Sequence, residues 1–162
     1  MENLISKTHI CLVGNGRLAK QLQAYLADNL KLGSNPPSFS HVYRAKNTPA
    51  EIAKAIGNST HIWLAISDQA IESFYNEFGV PTYTLSDERR SNKSPDQGEG
   101  NQKIWVHFSG AHNSSTIFSV HPLMTFSHTP FPSDDFNKIH LTVSTPSQWP
   151  SGKILSLNEL MP

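Results

Sequence analysis

Cysteine occurs once in 162 residues, at Cys11. A lone thiol excludes an internal disulfide and fits a reducing compartment. Excess charge of either sign is missing too, because Lys plus Arg is 13 and Asp plus Glu is 13. A neutral chain has no global pull on nucleic acid or anionic membrane, so a phosphate site has to be local. No apolar run approaches the roughly 18 residues of a membrane span. Met1 to Lys7 lacks a signal-peptide pattern, since Ile10–Val13 behind it is too short an apolar stretch. The expectation is a cytoplasmic protein with no nucleic-acid and no membrane partner. Hydrophobic residues still make up 37% of the chain, enough for one core. The length suits one domain over residues 1–162.

What is present alternates. His9 to Val13 is short, apolar and partly β-branched, and Gly14 bounds it, so it reads as a buried strand. From Arg17 to Lys31 the positions Leu18, Leu22, Tyr25, Leu26 and Leu30 recur at helical spacing. Gly33 to Pro37 stops that helix. Phe39 to Arg44 reads as a second strand. Thr48-Pro49-Ala50-Glu51 is a helix start, with a Thr cap, Pro at the first helical position and an acid at the third. That helix ends at Gly57. His61 to Ile66 is a third strand, and Ser67 or Asp68 caps a third helix that carries Ile71, Phe74, Tyr75 and Phe78 and closes at Gly79. Alternating strands and helices with continuous apolar strands imply an α/β protein with a mostly parallel sheet covered on both faces and right-handed crossovers.

The second half is less regular. Residues 86–103 carry four acids, four bases and no large apolar side chain, the composition of a flexible, solvated insert. Strands resume at Ile104–Phe108, Thr116–Val120 and Ile139–Val143. Ser109 to Ser115 is too short for an ordinary crossover helix. Residues 146–162 read as an irregular tail. Trp63 and Trp105 read as core or edge aromatics. No internal repeat is visible.

Gly14-Asn15-Gly16-Arg17-Leu18-Ala19 has the form G-x-G-x-x-A. A dinucleotide pyrophosphate needs backbone N–H groups at close range and the positive end of a helix. Gly14 permits the tight turn, Gly16 removes a Cβ from the phosphates' path, and Ala19 lets the helix pack on the strand. The string leaves a strand and opens a helix, the context that gives it value. This predicts a Rossmann-type, doubly wound, three-layer sandwich with Gly14, Asn15, Gly16, Arg17 and Leu18 at the cofactor. The alternative is an ordinary tight turn. At the end of the second strand, where NAD-binding folds usually place an acid, stands Tyr43-Arg44-Ala45-Lys46. A guanidinium suits a 2′-phosphate, so Arg44, assisted by Lys46 or Asn47, points to NADP ahead of NAD. The alternative is a solvated strand end.

Three stretches together resemble one family. They are Ile10 to Ala19, Ala65 to Ile71, and the pair His107-Phe108-Ser109-Gly110-Ala111 with His121-Pro122-Leu123-Met124-Thr125-Phe126. The chain is similar to Rossmann-like proteins that join an N-terminal NAD(P)-binding domain to a C-terminal helical domain of unknown function, near pyrroline-5-carboxylate reductase, ketopantoate reductase and prephenate dehydrogenase. The resemblance implies a cofactor domain. Relatives carry a helix between the Ser-Gly and His-Pro stretches, and here only a short link is expected. The chain ends where relatives begin their helical domain, which usually helps bind substrate and build the dimer. An uncovered apolar patch and a homo-oligomer are then expected.

The candidate chemistry lies at strand ends, where open α/β sheets gather ligands. Ser67 is placed on the nicotinamide side, and Asp68 is read mainly as a helix cap. His107 and His121 could pass a proton to a substrate carbonyl oxygen, and Ser109 with Gly110 could hold a carboxylate. The competing reading makes both imidazoles satisfied polar groups at strand ends, since no partner carboxylate is visible nearby. His107, His112, His121 and His128 match no closed zinc spacing, so no metal is expected. Phe108-Ser109-Gly110 is not a nucleophile elbow. Two functions lead: an NADP-dependent oxidoreductase acting on a small carbonyl or imine through His107, Ser109 and His121, and a non-catalytic dinucleotide-binding module acting through a protein partner; a degenerate fold with no ligand is the third reading.

Overall fold

A computed structural model describes residues 8–29, 37–79, 103–147 and 161. All of the expected insert over 86–103 except Lys103, and most of the tail, lie outside these residues. The chain runs β1 (His9–Val13), α1 (Arg17–Asn29), β2 (Ser38–Val42), α2 (Pro49–Gly57), β3 (His61–Leu64), α3 (Asp68–Phe78), β4 (Ile104–His107), β5 (Phe118–Pro122), α4 (Ser133–Phe136) and β6 (Leu141–Ser144). The six strands form one sheet in the order β2-β1-β3-β4-β5-β6. All pairs are parallel except β5 with β6. This is the α/β three-layer sandwich that the alternation predicts.

Side-chain alternation along the strands builds two cores. Ile10, Leu12, Trp63, Val106 and Phe118 face Ala19, Leu22 and Leu26 of α1 and Phe136 of α4. Cys11, Val13, Ile62, Leu64 and Trp105 face Ile52 and Ile56 of α2 and Ile71 and Phe74 of α3. Thus α1 and α4 cover one face, and α2 and α3 the other. Both Trp63 and Trp105 are buried, each with an edge-on aromatic neighbour, Phe108 and Tyr75. The start of α2 carries the full capping box between Thr48 and Glu51.

The β4–β5 link is the departure from an ordinary doubly wound fold. Residues 108–117 join two parallel strands without a helix, where such crossovers normally need one. Two hydroxyls take over the hydrogen bonding that a helix would supply internally. Ser109 Oγ accepts from the amides of Ala111 and His112, and Ser114 Oγ from those of Thr116 and Ile117. Among the described residues no helix covers that part of the sheet, and its outward positions are polar: β5 buries Phe118, Val120 and Pro122 and leaves Ser119 and His121 half-buried.

Strand bounds differ from expectation where the hydrogen-bond ladder stops before the apolar run does. β2 begins at Ser38 and ends at Val42, because Tyr43 to Asn47 folds into a turn closed by Asn47 Oδ1 on the Tyr43 amide. β3 ends at Leu64 and β4 at His107. β5 starts at Phe118, since Thr116 and Ile117 belong to the link, and β6 spans Leu141–Ser144 instead of Ile139–Val143. The short helix α4 has no counterpart in the sequence reading. Its neighbourhood is fastened to α1 by Gln21, a buried amide that donates to Phe131 O at 3.0 Å and accepts from Phe131 N at 2.9 Å. Loss of that side chain would strand two backbone groups, at about 1–3 kcal/mol. Leu123, Met124 and Val143 are the exposed large hydrophobics among the described residues, beside the β5–β6 pair.

Candidate functional site

The strand order fixes where a ligand can enter. The chain leaves β1 for β2 on one side and returns to β3 on the other, so α1 and α3 depart from neighbouring strands onto opposite faces. A crevice opens at such a switch point, outside the carboxyl ends of the strands. A cleft of about 520 Å³ lies there, lined by Asn15, Gly16, Arg17 and Leu18, by Ala65, Ile66 and Ser67, and by Thr125 and Phe126. Its size is that of a small-molecule site.

The two glycines of the turn do different work. Gly14 has φ +128°, and a Cβ there would sit 2.2 Å from Ala65 O. Its amide donates to Val42 O at 3.0 Å and its carbonyl accepts from His41 Nε2 at 2.6 Å. Gly14 is therefore demanded by the close passage of β1 past the end of β3. Gly16 is not demanded by packing, since a Cβ there would meet nothing within 4 Å. Its carbonyl accepts from Lys20 N, which makes it the cap position of α1. It brings no side chain to that cap, and the first turn of α1 holds no acid. The amides that open α1 thus lack the internal acceptor that Thr48 gives α2. With exposed Arg17 beside them, they form an electropositive, sterically open edge of the cleft. The donor set suits a phosphate.

Ser67 lines the cleft from the other side. It is the cap residue of α3, in extended conformation (φ −67°, ψ 147°), with no side-chain capping bond. Its hydroxyl is not engaged in closing the helix. The expectation that Asp68 caps this helix is corrected: Asp68 is already its first helical residue, where its carboxylate favours the helix dipole.

Arg44 lies outside the lining of the cleft. It follows β2 in the turn, on the α3 side, with its guanidinium 2.6 Å from Glu77 Oε2 and 5.7 Å above the Phe74 ring. Its side chain is 61% exposed. To meet a 2′-phosphate it has to leave Glu77, at under about 1 kcal/mol for an exposed pair. Asn47 is engaged in closing the turn.

His107, Ser109 and His121 gather at the β4–β5 link and do not line the cleft. His107 is fully buried at the end of β4. Its Nδ1 accepts from Ser109 N at 3.3 Å, and its Nε2 has no partner. Burial pulls this imidazole down to about 4; neighbouring His112 pulls the same way, and Asp68 and Glu72 oppose. Ser109 Oγ is an acceptor for two loop amides. His121 donates from Nδ1 to Phe108 O at 3.2 Å, and its ring lies against Gly110. The carboxylates that sequence reading did not find near His107 come from α3. Glu72 Oε1 accepts from His112 Nε2 at 3.0 Å, and the His112 ring meets His107 edge-on at 5.1 Å. Among the described residues, no group of three or more His, Cys, Asp or Glu is placed to hold a metal, and no helix is long and apolar enough to cross a membrane.

Besides Ala65 and Ile66 of the cleft wall, four further residues contribute that the sequence does not mark as site residues. His41 grips the glycine turn, Gln21 holds the chain beyond Phe126 to α1, and Thr125 and Phe126 close the cleft. His41 carried no signal, being one of several imidazoles in strands. Gln21 sits between apolar helix positions, which hinted at a buried polar clamp. Comparison of the chain with protein-family profiles, with curated proteins and with solved structures finds no match. Function therefore has to be argued from the chemistry of the site.

Proposed function

We propose that this protein binds a nicotinamide dinucleotide, with the pyrophosphate on the opening turn of α1. The carrying observation is Gly16: it lines the switch-point cleft, faces open space, and as the cap residue of α1 brings no side chain to the first amides of that helix. Asn15, Gly16, Arg17 and Leu18 would hold the pyrophosphate, and Ser67 the nicotinamide half. Bound there, such a cofactor supplies a hydride donor or acceptor. Preference for NADP(H) over NAD(H) rests on Arg44 exchanging Glu77 for a 2′-phosphate.

The binding-module reading is favoured over the enzyme reading, because His107, Ser109 and His121 have local partners or full burial and stand outside the cleft lining. One observation keeps catalysis as the second reading. His112, itself outside the cleft lining, is oriented by the carboxylate of Glu72, the arrangement of a general base, and Glu72 stands on the helix that Ser67 caps.

Titration calorimetry with NADPH and NADH tests the binding. Saturable binding with a one-to-one stoichiometry is expected. No heat with either nucleotide at millimolar concentration would overturn the proposal. NADPH consumption with small keto acids or imines would move the second reading to the front.

A further inference from the structure

Gly14 and Gly16 flank Asn15, and a turn so rich in glycine does not orient its own peptides. The structure supplies an orienting group from the neighbouring strand. His41 stands on β2 opposite Leu12 of β1, and Leu12 belongs to the core beneath α1. The imidazole therefore stands on the α1 side of the sheet. Its Nε2 lies 2.6 Å from Gly14 O. A carbonyl only accepts, so Nε2 carries the hydrogen. The amide of Gly14 is held by β2 as well, through Val42 O at 3.0 Å.

We infer that His41 is a positioning residue of the nucleotide site: by holding the Gly14 carbonyl toward β2, it turns the Asn15 N–H toward the cleft as a phosphate donor. In a trans peptide the C=O and the following N–H point in opposite directions. The Gly14 carbonyl points to the imidazole carried by β2, so the Asn15 N–H points away from β2; β3 is the neighbour of β1 on that other side. That is the side from which Ala65, Ile66 and Ser67 line the cleft together with Asn15. Without the imidazole, the peptide between Gly14 and Asn15 is free to rotate, and the donor is aimed only part of the time. The inference rests on the reading of this cleft as a dinucleotide site.

The test is NADPH titration of the wild type, His41→Phe and His41→Gln, each with a melting curve. Phenylalanine keeps a ring beside Tyr43, whose centroid lies 5.5 Å away, and removes the donor. Glutamine restores an N–H donor on a flexible stem. Affinity about 10-fold weaker in His41→Phe, with recovery to within about 3-fold in His41→Gln, is expected. A merely structural role would lower melting temperature and affinity together and show no recovery by glutamine. Wild-type binding matched by His41→Phe overturns this inference alone, and so does a glutamine variant as weak as phenylalanine. A wild type that does not bind NADPH overturns the inference and the proposed function together. Should a variant fail to fold, the wild-type Asn15 amide resonance decides: a downfield shift on NADPH addition supports the inference, and an unmoved signal during saturable binding overturns it.

Discussion

Replacing Gly16 with aspartate should stabilise the fold and strongly weaken nucleotide binding, two effects of opposite sign from one side chain. Gly16 occupies the cap position of α1, and its backbone is free of the positive φ that Gly14 requires. A Cβ there meets no atom within 4 Å, so an aspartate enters without strain. Its carboxylate can accept from the first amides of α1, to which the glycine brings no side chain, and it faces a first turn that holds no acid. Aspartate over glycine at a cap is worth a few tenths of a kcal/mol, and the helix dipole adds about 0.3–1 kcal/mol. About 1 kcal/mol in a domain of this size raises the melting temperature by roughly 2–4 °C. The same carboxylate stands where a phosphate is to bind. Two like charges about 4 Å apart repel by about 4 kcal/mol at an effective dielectric near 20, which screening and relaxation reduce. Weakening of about 30- to 1000-fold follows at 1.4 kcal/mol per tenfold. Scanning calorimetry reads the first effect and NADPH titration the second. A stabilised variant that binds as the wild type does would show that the turn is structural only. A destabilised variant would show that the space at Gly16 is not open.

Gly14→Ala should do the reverse, because φ +128° and the Ala65 carbonyl forbid a Cβ; a loss above about 3 kcal/mol, roughly 6–12 °C in melting temperature, is expected, and a variant within 2 °C would refute the close passage. The His107 imidazole titrates at 6.5 when free and at about 4 when buried. Between these values the unfolded chain binds more protons, so stability is complete above pH 6.5 and falls toward pH 4, by up to about 3 kcal/mol from this group. Urea unfolding at several pH values should show His107→Gln with a flatter dependence than the wild type, and an unchanged slope would contradict the buried, neutral ring. Glu77→Gln releases Arg44 from its ion pair and should shift the NADPH-to-NADH affinity ratio upward by up to about 5-fold, as an exposed pair of under about 1 kcal/mol allows; an unmoved ratio removes Arg44 from the 2′-phosphate.

The first half of the fold was readable because each element announces itself locally. β1 matches its expected span because one apolar run is stopped by a glycine, and α2 because Thr48, Pro49 and Glu51 write a complete helix start. The turn from Asn15 to Leu18 that lines one edge of the cleft was readable for the same reason. What escaped depends on contacts between distant segments. Arg44 reads as a strand-end cation, and only the packing of α3 brings Glu77 to it. His107 has no carboxylate within its own stretch, yet α3 places Asp68 and Glu72 beside it. His41 and Gly14 are far apart in sequence and meet because β2 pairs with β1 in that register. The wall formed by Thr125 and Phe126 depends on a loop that Gln21 ties to α1 from far away. No periodicity encodes such meetings, and short strands such as β6 give too few residues for the pattern to fix their ends.

Whether the opening of α1 holds the phosphates is read from the backbone amide resonances of the isotope-labelled protein, followed during NADPH addition. The expected result is saturable shifts that are largest at residues 15–18, with smaller ones at Ser67 and Thr125 across the cleft. Shifts confined to other parts of the sheet, or none at millimolar NADPH, would contradict it.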